Sequence, residues 1–288
     1  MEWTTWAGGL AAGLLISVVT APVGVSGAVF LLPVHLSVFG VPNPAVTPTN
    51  LLYNVVAGPG ALWRYRRDGA LRGPLARRLV AGTLPGVVVG AVIRVYVLPG
   101  PTVFRLLIAA LLLPLGAWLF VRTVRPARRR PPTAAAETTT AAETTTVGKT
   151  TTVTEATADP GRPSPSALTA LALCVGVVGG VYGIGGGSLI GPVLVARGLP
   201  VSRVAPAALA TTFVTSVVGA AVYAVLALTG SGDIAPDWWL GLACGAGGLV
   251  GGYLGARLQP RLPERGLRLL LATLATAVGA LYAVQALI

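Results

Sequence analysis

Long apolar stretches alternate with short polar connections along the chain. The apolar segments fall at about 7–39, 43–63, 79–98, 103–121, 167–196, 204–228, 238–258 and 267–287. Crossing the hydrocarbon core of a bilayer as helix takes about 20 mostly apolar residues, so the pattern predicts an all-α integral membrane protein. Two segments differ from the rest. Residues 7–39 and 167–196 run to about 30 residues, near 45 Å as continuous helix, and each is interrupted near its middle by glycine. Residues 123–165 are Thr- and Pro-rich, with no apolar face to bury, and are expected to form a disordered linker. The predicted organisation is therefore a first membrane repeat over 1–122, the linker over 123–165 and a second membrane repeat over 166–288.

The halves match in order. "VGVSGAVFLLP" (Val23–Pro33) lies over "YGIGGGSLIGP" (Tyr182–Pro192), and "GVPNPAVTPTNLLYN" (Gly40–Asn54) over "GLPVSRVAPAALATT" (Gly198–Thr212), with Pro48 over Pro206. Gly82, Gly86 and Gly90 repeat every fourth residue, as do Gly247, Gly251 and Gly255, and Gly116 matches Gly279. Glycine at this spacing lines one helix face and lets another helix approach closely. With these paired features the sequence resembles the sulfite exporter (TauE/SafE) family of membrane permeases, whose members are built from two related halves of four apolar segments, each opening with a glycine-rich break. The resemblance covers nearly the whole chain except the linker. It implies a permease that exports sulfite or a related organosulfonate.

Composition agrees with a membrane protein. The chain is 54% apolar and only 10% charged, with mean hydropathy +0.77, where a soluble domain carries about 25% charged residues. The net charge of +12 does not indicate nucleic acid, because the arginines cluster at segment ends, where they set membrane orientation. Cys174 and Cys244 stand far apart in apolar segments, which implies neither a disulfide framework nor a metal site. The opening "MEWTTW" has no basic region, so a cleaved signal peptide is not expected.

The arginines also bear on how the halves are oriented. If each long first segment crosses once, both halves point the same way and the arginines of the second half fall outside. If each enters and returns as a hairpin, the second half is inverted. Arg64, Arg66, Arg67, Arg72, Arg77 and Arg78 then share the cytoplasmic face with the linker cations and with Arg197, Arg203, Arg257, Arg261, Arg265 and Arg268. Only Arg94 and Arg105 remain opposite. The positive-inside rule favours the inverted arrangement, although parallel halves stay open at this point.

The glycine breaks are the candidate site. Irregular backbone at membrane depth must be buried in protein or line a cavity, and paired Gly-interrupted segments in two halves point to a transport site near the midplane. A helix restarting after a break offers N–H groups and the positive end of its dipole to an anion. Gly24, Ser26 and Gly27 form one such start, and Gly183, Gly185, Gly186, Gly187 and Ser188 the other. Thr49, Asn50 and Asn54, with Thr211 and Thr212 in the matching stretch, would add uncharged donors. The expected ligand is a small anion bound from lipid-embedded helices. No Asp or Glu lies mid-segment, so coupling is expected to be weak, carried by the substrate's own proton, or absent.

Rival readings are weaker. The run from Gly179 to Pro192 lacks the lysine of a P-loop and the third glycine of a dinucleotide fingerprint. "GVSG" at Gly24–Gly27 also fits the serine motif of rhomboid-type intramembrane proteases, but the sole histidine, His35, lies nine residues on, about 13 Å of helical rise, too far to act as base. A passive anion channel and a receptor without transport remain as alternatives. No catalytic residue, cofactor or metal is expected. One test of the orientation is direct. A cysteine at Ser231 should react with an impermeant maleimide from outside the cell, and one at Ser202 only after permeabilisation; external labelling at Ser202 would establish parallel halves.

Overall fold

The computed structural model describes residues 3–71, 74–97, 101–124, 165–229 and 234–287. The predicted linker lies almost wholly outside the described residues. Among the described residues the regular structure is helical, without strands. The first half contains α1 (Trp3–Thr20), α2 (Ala28–Ser37), α3 (Asn43–Arg67), α4 (Pro74–Tyr96) and α5 (Pro101–Val124); the second contains α6 (Pro165–Tyr182), α7 (Gly186–Ala196), α8 (Val201–Thr229), α9 (Trp238–Leu258) and α10 (Glu264–Leu287). The two long apolar segments are thus each two helices. In the first, a 3₁₀ turn at Ala21–Val23 and a bend through Gly24–Gly27 separate α1 from α2; in the second, Gly183–Gly185 separate α6 from α7.

Among the described residues, five stretches are long and apolar enough to cross a membrane: Trp3–Val23, Pro74–Tyr96, Val201–Leu228, Trp238–Arg261 and Glu264–Gln285. Helix α3 has the length, at 25 residues, but is the most polar of the long helices and does not meet that criterion. Its polar residues are enclosed by protein: Thr47, Thr49, Asn50 and Asn54 are all buried. Trp63, Val88, Val89, Val225, Leu228 and Trp239 are among the large apolar side chains left exposed, as expected of a surface that faces lipid.

Glycine sets the packing. Helix α9 lies against α1 with Gly247 at Leu10, Gly251 at Leu14 and Gly255 at Val18. Helix α4 lies against α6 with Gly82 at Ala172, Gly86 at Gly176 and Val177, and Gly90 at Val181. In both pairs a Cβ on these glycines would strike the neighbouring helix, in most cases its backbone. Apolar side chains gain little by leaving lipid for protein, so this close backbone contact carries the association.

The same contacts give helix directions. Residue numbers rise together along α1 and α9, along α4 and α6, and along α3 and α9, where Leu52 meets Gly241, Val56 meets Gly245 and Ala61 meets Gly252. They run oppositely along α3 and α8, where Leu51 meets Gly219 and Gly58 meets Phe213. Helices α1 and α3 therefore run the same way and α2 between them turns back, which returns Phe39 to within 3.6 Å of the Cβ position of Gly8. Each broken segment packs chiefly on a helix of the other half, α1 on α9 and α6 on α4.

Close packing yields a paired test in α9. A Cβ at Gly251 would lie 3.0 Å from the Cα of Leu14, whereas at Gly252 the nearest atom is the Ala61 nitrogen at 3.4 Å. Gly251→Ala should lower the melting temperature in detergent, costing about 1–3 kcal/mol as overpacking does, and Gly252→Ala should leave it near wild type. Equal melting of the two variants would contradict this packing.

Candidate functional site

The two breaks meet beside Asn54, near the middle of α3. Two glycines make the approach possible. Gly24 and Gly183 have φ of 77° and 67°, a left-handed conformation that glycine takes at little cost. Each is pressed against the other half: a Cβ on Gly24 would lie 2.8 Å from that of Ala205, and one on Gly183 would lie 3.0 Å from the carbonyl carbon of Thr47.

Side chains then satisfy the loosened backbone. The Ser26 N–H donates to Ser188 Oγ at 3.3 Å, linking one break to the other. Ser26 Oγ donates to Asn54 Oδ1 and accepts from the Ala28 N–H at 3.1 Å. Asn54 Nδ2 donates to the Gly183 carbonyl at 3.3 Å, so this one side chain holds both breaks. Ser188 Oγ donates to the Ile184 carbonyl at 2.8 Å and lies 3.2 Å from Thr212 Oγ1. The Gly186 N–H donates to Thr215 Oγ1 at 3.2 Å.

The residues expected at the site thus divide. Ser26, Gly27, Asn54 and Thr212 line a common cavity of about 30 Å³. Gly185 and Gly187 pack against Thr212, and Ser188 bonds to it, so they form the wall behind. Gly186 sits against Thr83. Asn50 donates to the Ala28 carbonyl at 3.3 Å, and its Oδ1 is buried without a partner. Thr49 and Thr211 are turned to their own helices, donating to Ala45 and Ala207 at 2.6 and 2.8 Å, and Thr49 also receives the Asp237 N–H at 2.9 Å where α9 begins. In this conformation the amides of Ser26 and Gly186 are held by side chains of the same cluster, not left bare.

Two polar cavity residues, Ser17 and Thr20, come from positions that the sequence pattern does not single out, and a third, Tyr53, belongs to the polar stretch that runs from Thr49 to Asn54. Ser17 and Thr20 lie on α1 and Tyr53 on α3. Tyr53 and Ser17 hydroxyls are 2.5 Å apart. Thr20 is 2% exposed and its Oγ1 has no hydrogen-bond partner. A buried hydroxyl is expected to be bonded, so Thr20 marks a place built for something polar. Proton accounting agrees: in the Ser17–Tyr53 pair one hydroxyl proton makes the bond and one is spare. The cavity therefore presents two uncommitted O–H donors, and its lining includes no Asp, Glu, Lys, Arg or His. Such a lining solvates an oxyanion through hydrogen bonds without holding it by a fixed charge.

Elsewhere, His35 Nε2 lies 3.6 Å from Cys244 Sγ in the interior between α2 and α9, away from this lining. Among the described residues no group of three metal-ligating side chains forms. Arg94, counted opposite the other arginines, is 4% exposed.

The family model described as "Sulfite exporter TauE/SafE" matches residues 9–282, spanning both halves and both breaks. No curated protein and no solved structure matches the chain.

The bridging role of Asn54 is open to test. Asn54→Leu keeps the bulk but strands the Gly183 carbonyl and the Ser26 hydroxyl, each costing about 1–3 kcal/mol when buried without a partner. The melting temperature in detergent should fall well below that of wild type; an unchanged value would show that the breaks do not depend on this bridge.

Proposed function

This chain belongs to the sulfite exporter TauE/SafE family of membrane anion exporters, and we propose that it is a secondary permease of the cell membrane that exports a small oxyanion, sulfite or an organosulfonate, through the cavity between the two helix breaks. The observation that carries the site is the buried, unpartnered Thr20 hydroxyl in that cavity. An oxyanion accepts hydrogen bonds and offers none to a carbonyl. A cavity whose spare groups are hydroxyl donors suits it, and the lack of a fixed charge in the lining favours release. At about 30 Å³ the cavity is small, and on this reading the breaks part to admit the anion.

The halves are read as inverted repeats. Three features support this: the opposed directions of α3 and α8, the return of α2 to the start of α1, and matched contacts in the two halves. Tyr65 donates to the Ala21 carbonyl and the matching Tyr223 to the Gly180 carbonyl, both at 3.1 Å. Two related units sharing one central site can rock against each other and expose it to either face in turn.

Thr20→Val tests the reading, since it keeps the shape and removes the donor. A hydrogen bond to a charged group is worth about 1.5–3 kcal/mol. In proteoliposomes given radiolabelled sulfite, taurine-like sulfonates, sulfate and chloride, wild type should transport one of the first two. Thr20→Val should raise the KM for that anion at least tenfold at unchanged melting temperature. Transport of none of these anions by wild type refutes the function; normal KM in Thr20→Val moves the site elsewhere.

A further inference from the structure

Among the buried positions at which the matched halves differ near the breaks, one differs in charge. With Gly82, Gly86 and Gly90 of α4 set over Gly247, Gly251 and Gly255 of α9, Arg94 falls over Gln259. Both side chains are buried, 4% and 7% exposed. Gln259 Nε2 donates to the Pro22 carbonyl at 2.6 Å, at the first break. Arg94 Nε lies 3.5 Å from Thr47 Oγ1, which itself donates to the Val181 carbonyl at 3.4 Å, at the second break. One break thus has a neutral amide where the other has a guanidinium.

The difference has a side. Arg77 and Arg78 begin α4, and Arg94 lies 17 residues from Arg77, about 25 Å along the helix. Gln259 lies instead among Arg257 and Arg261, on the face where Arg66 and Arg67 end α3. The face of Gln259 is rich in surface arginine, which draws anions to its rim. The opposite face is poor in cations, and there the positive charge stands inside the protein, near Tyr182 and Tyr223. Along α3 its neighbour Thr47 is seven residues from Asn54, about 10 Å from the cavity. Charge held in a low-dielectric interior acts more strongly than charge at a rim, and charged side chains at membrane depth mark ion pathways.

Resting on the oxyanion-permease reading, we propose that Arg94 is the anion-binding residue of the arginine-poor face, a subsite that receives the oxyanion between the central cavity and that side of the membrane. Gln259 leaves the other side without an equivalent, so the two faces bind the substrate unequally.

Glutamine is accommodated at the matching place in the other half, so Arg94→Gln is the natural variant, with Arg94→Lys as its charge-conserving partner. Sulfite transport is measured in vesicles of defined orientation, with KM determined separately at each face and melting recorded for each protein. Arg94→Gln should raise KM at the arginine-poor face at least tenfold and change it less than twofold at the other, at near wild-type melting; Arg94→Lys should restore most of the loss. An equal effect at both faces, a loss that follows melting, or no effect overturns the subsite. If Arg94→Gln does not fold, Arg94→Lys and Gln259→Arg decide. The subsite stands if Gln259→Arg lowers KM at the arginine-rich face while Arg94→Lys keeps wild-type KM, and falls if Gln259→Arg leaves KM unchanged. Failure of wild type to transport sulfite or a sulfonate refutes the underlying reading, which is a different result from transport that is indifferent to Arg94.

Discussion

A helix broken inside a bilayer strands backbone N–H and C=O groups where no water can reach them, and the structure is organised around meeting that demand. The two breaks serve as partners for each other. Ser188 takes the Ser26 amide, and Asn54 spans from Ser26 to the Gly183 carbonyl. Each half satisfies part of its own break, through Tyr65 on Ala21 and Thr215 on Gly186, and takes the rest from the other. The polar residues that make α3 too hydrophilic to count as a membrane span by hydropathy are the ones that make the breaks tolerable, and they are enclosed because the breaks enclose them.

The glycine columns follow from this arrangement. For the two breaks to meet, α1 and α6 must each lie deep against the opposite half, and bulky side chains would hold them away. Gly247, Gly251 and Gly255 on one side and Gly82, Gly86 and Gly90 on the other remove that obstacle. Transport and packing therefore draw on the same residue type in different ways. Glycine in the columns brings helices into contact, and glycine at Gly24 and Gly183 turns the chain.

Much of the fold was legible in the apolar pattern. The segment read at 238–258 is α9, Trp238–Leu258, and the two overlong segments are the two that divide. Length exposed them, since about 30 residues exceed what a bilayer needs. The site was legible in part. Ser26, Asn54 and Thr212 stand out because polar residues beside glycine breaks are unusual, and they do line one cavity. Thr20 and Ser17 were not found, because single hydroxyls within apolar helices look like ordinary span residues until a cavity gathers them. Thr49 carries the opposite lesson: its hydroxyl receives an amide of the segment leading into α9, and that tertiary approach leaves no trace in local spacing. Arginine counting concerns loops and is silent on whether a side chain such as that of Arg94 turns inward.

The crossed pairing of the halves bears on how the protein is made. Gly9 finds its partners at Leu240 and Cys244, more than 200 residues later in the chain. At about 5–20 residues per second of synthesis, α1 waits some ten to fifty seconds for α9. During that interval the face of α1 that carries Gly9 and Gly13 lacks its partner helix. The contact that anchors the first helix therefore cannot form until nearly the whole chain has been made.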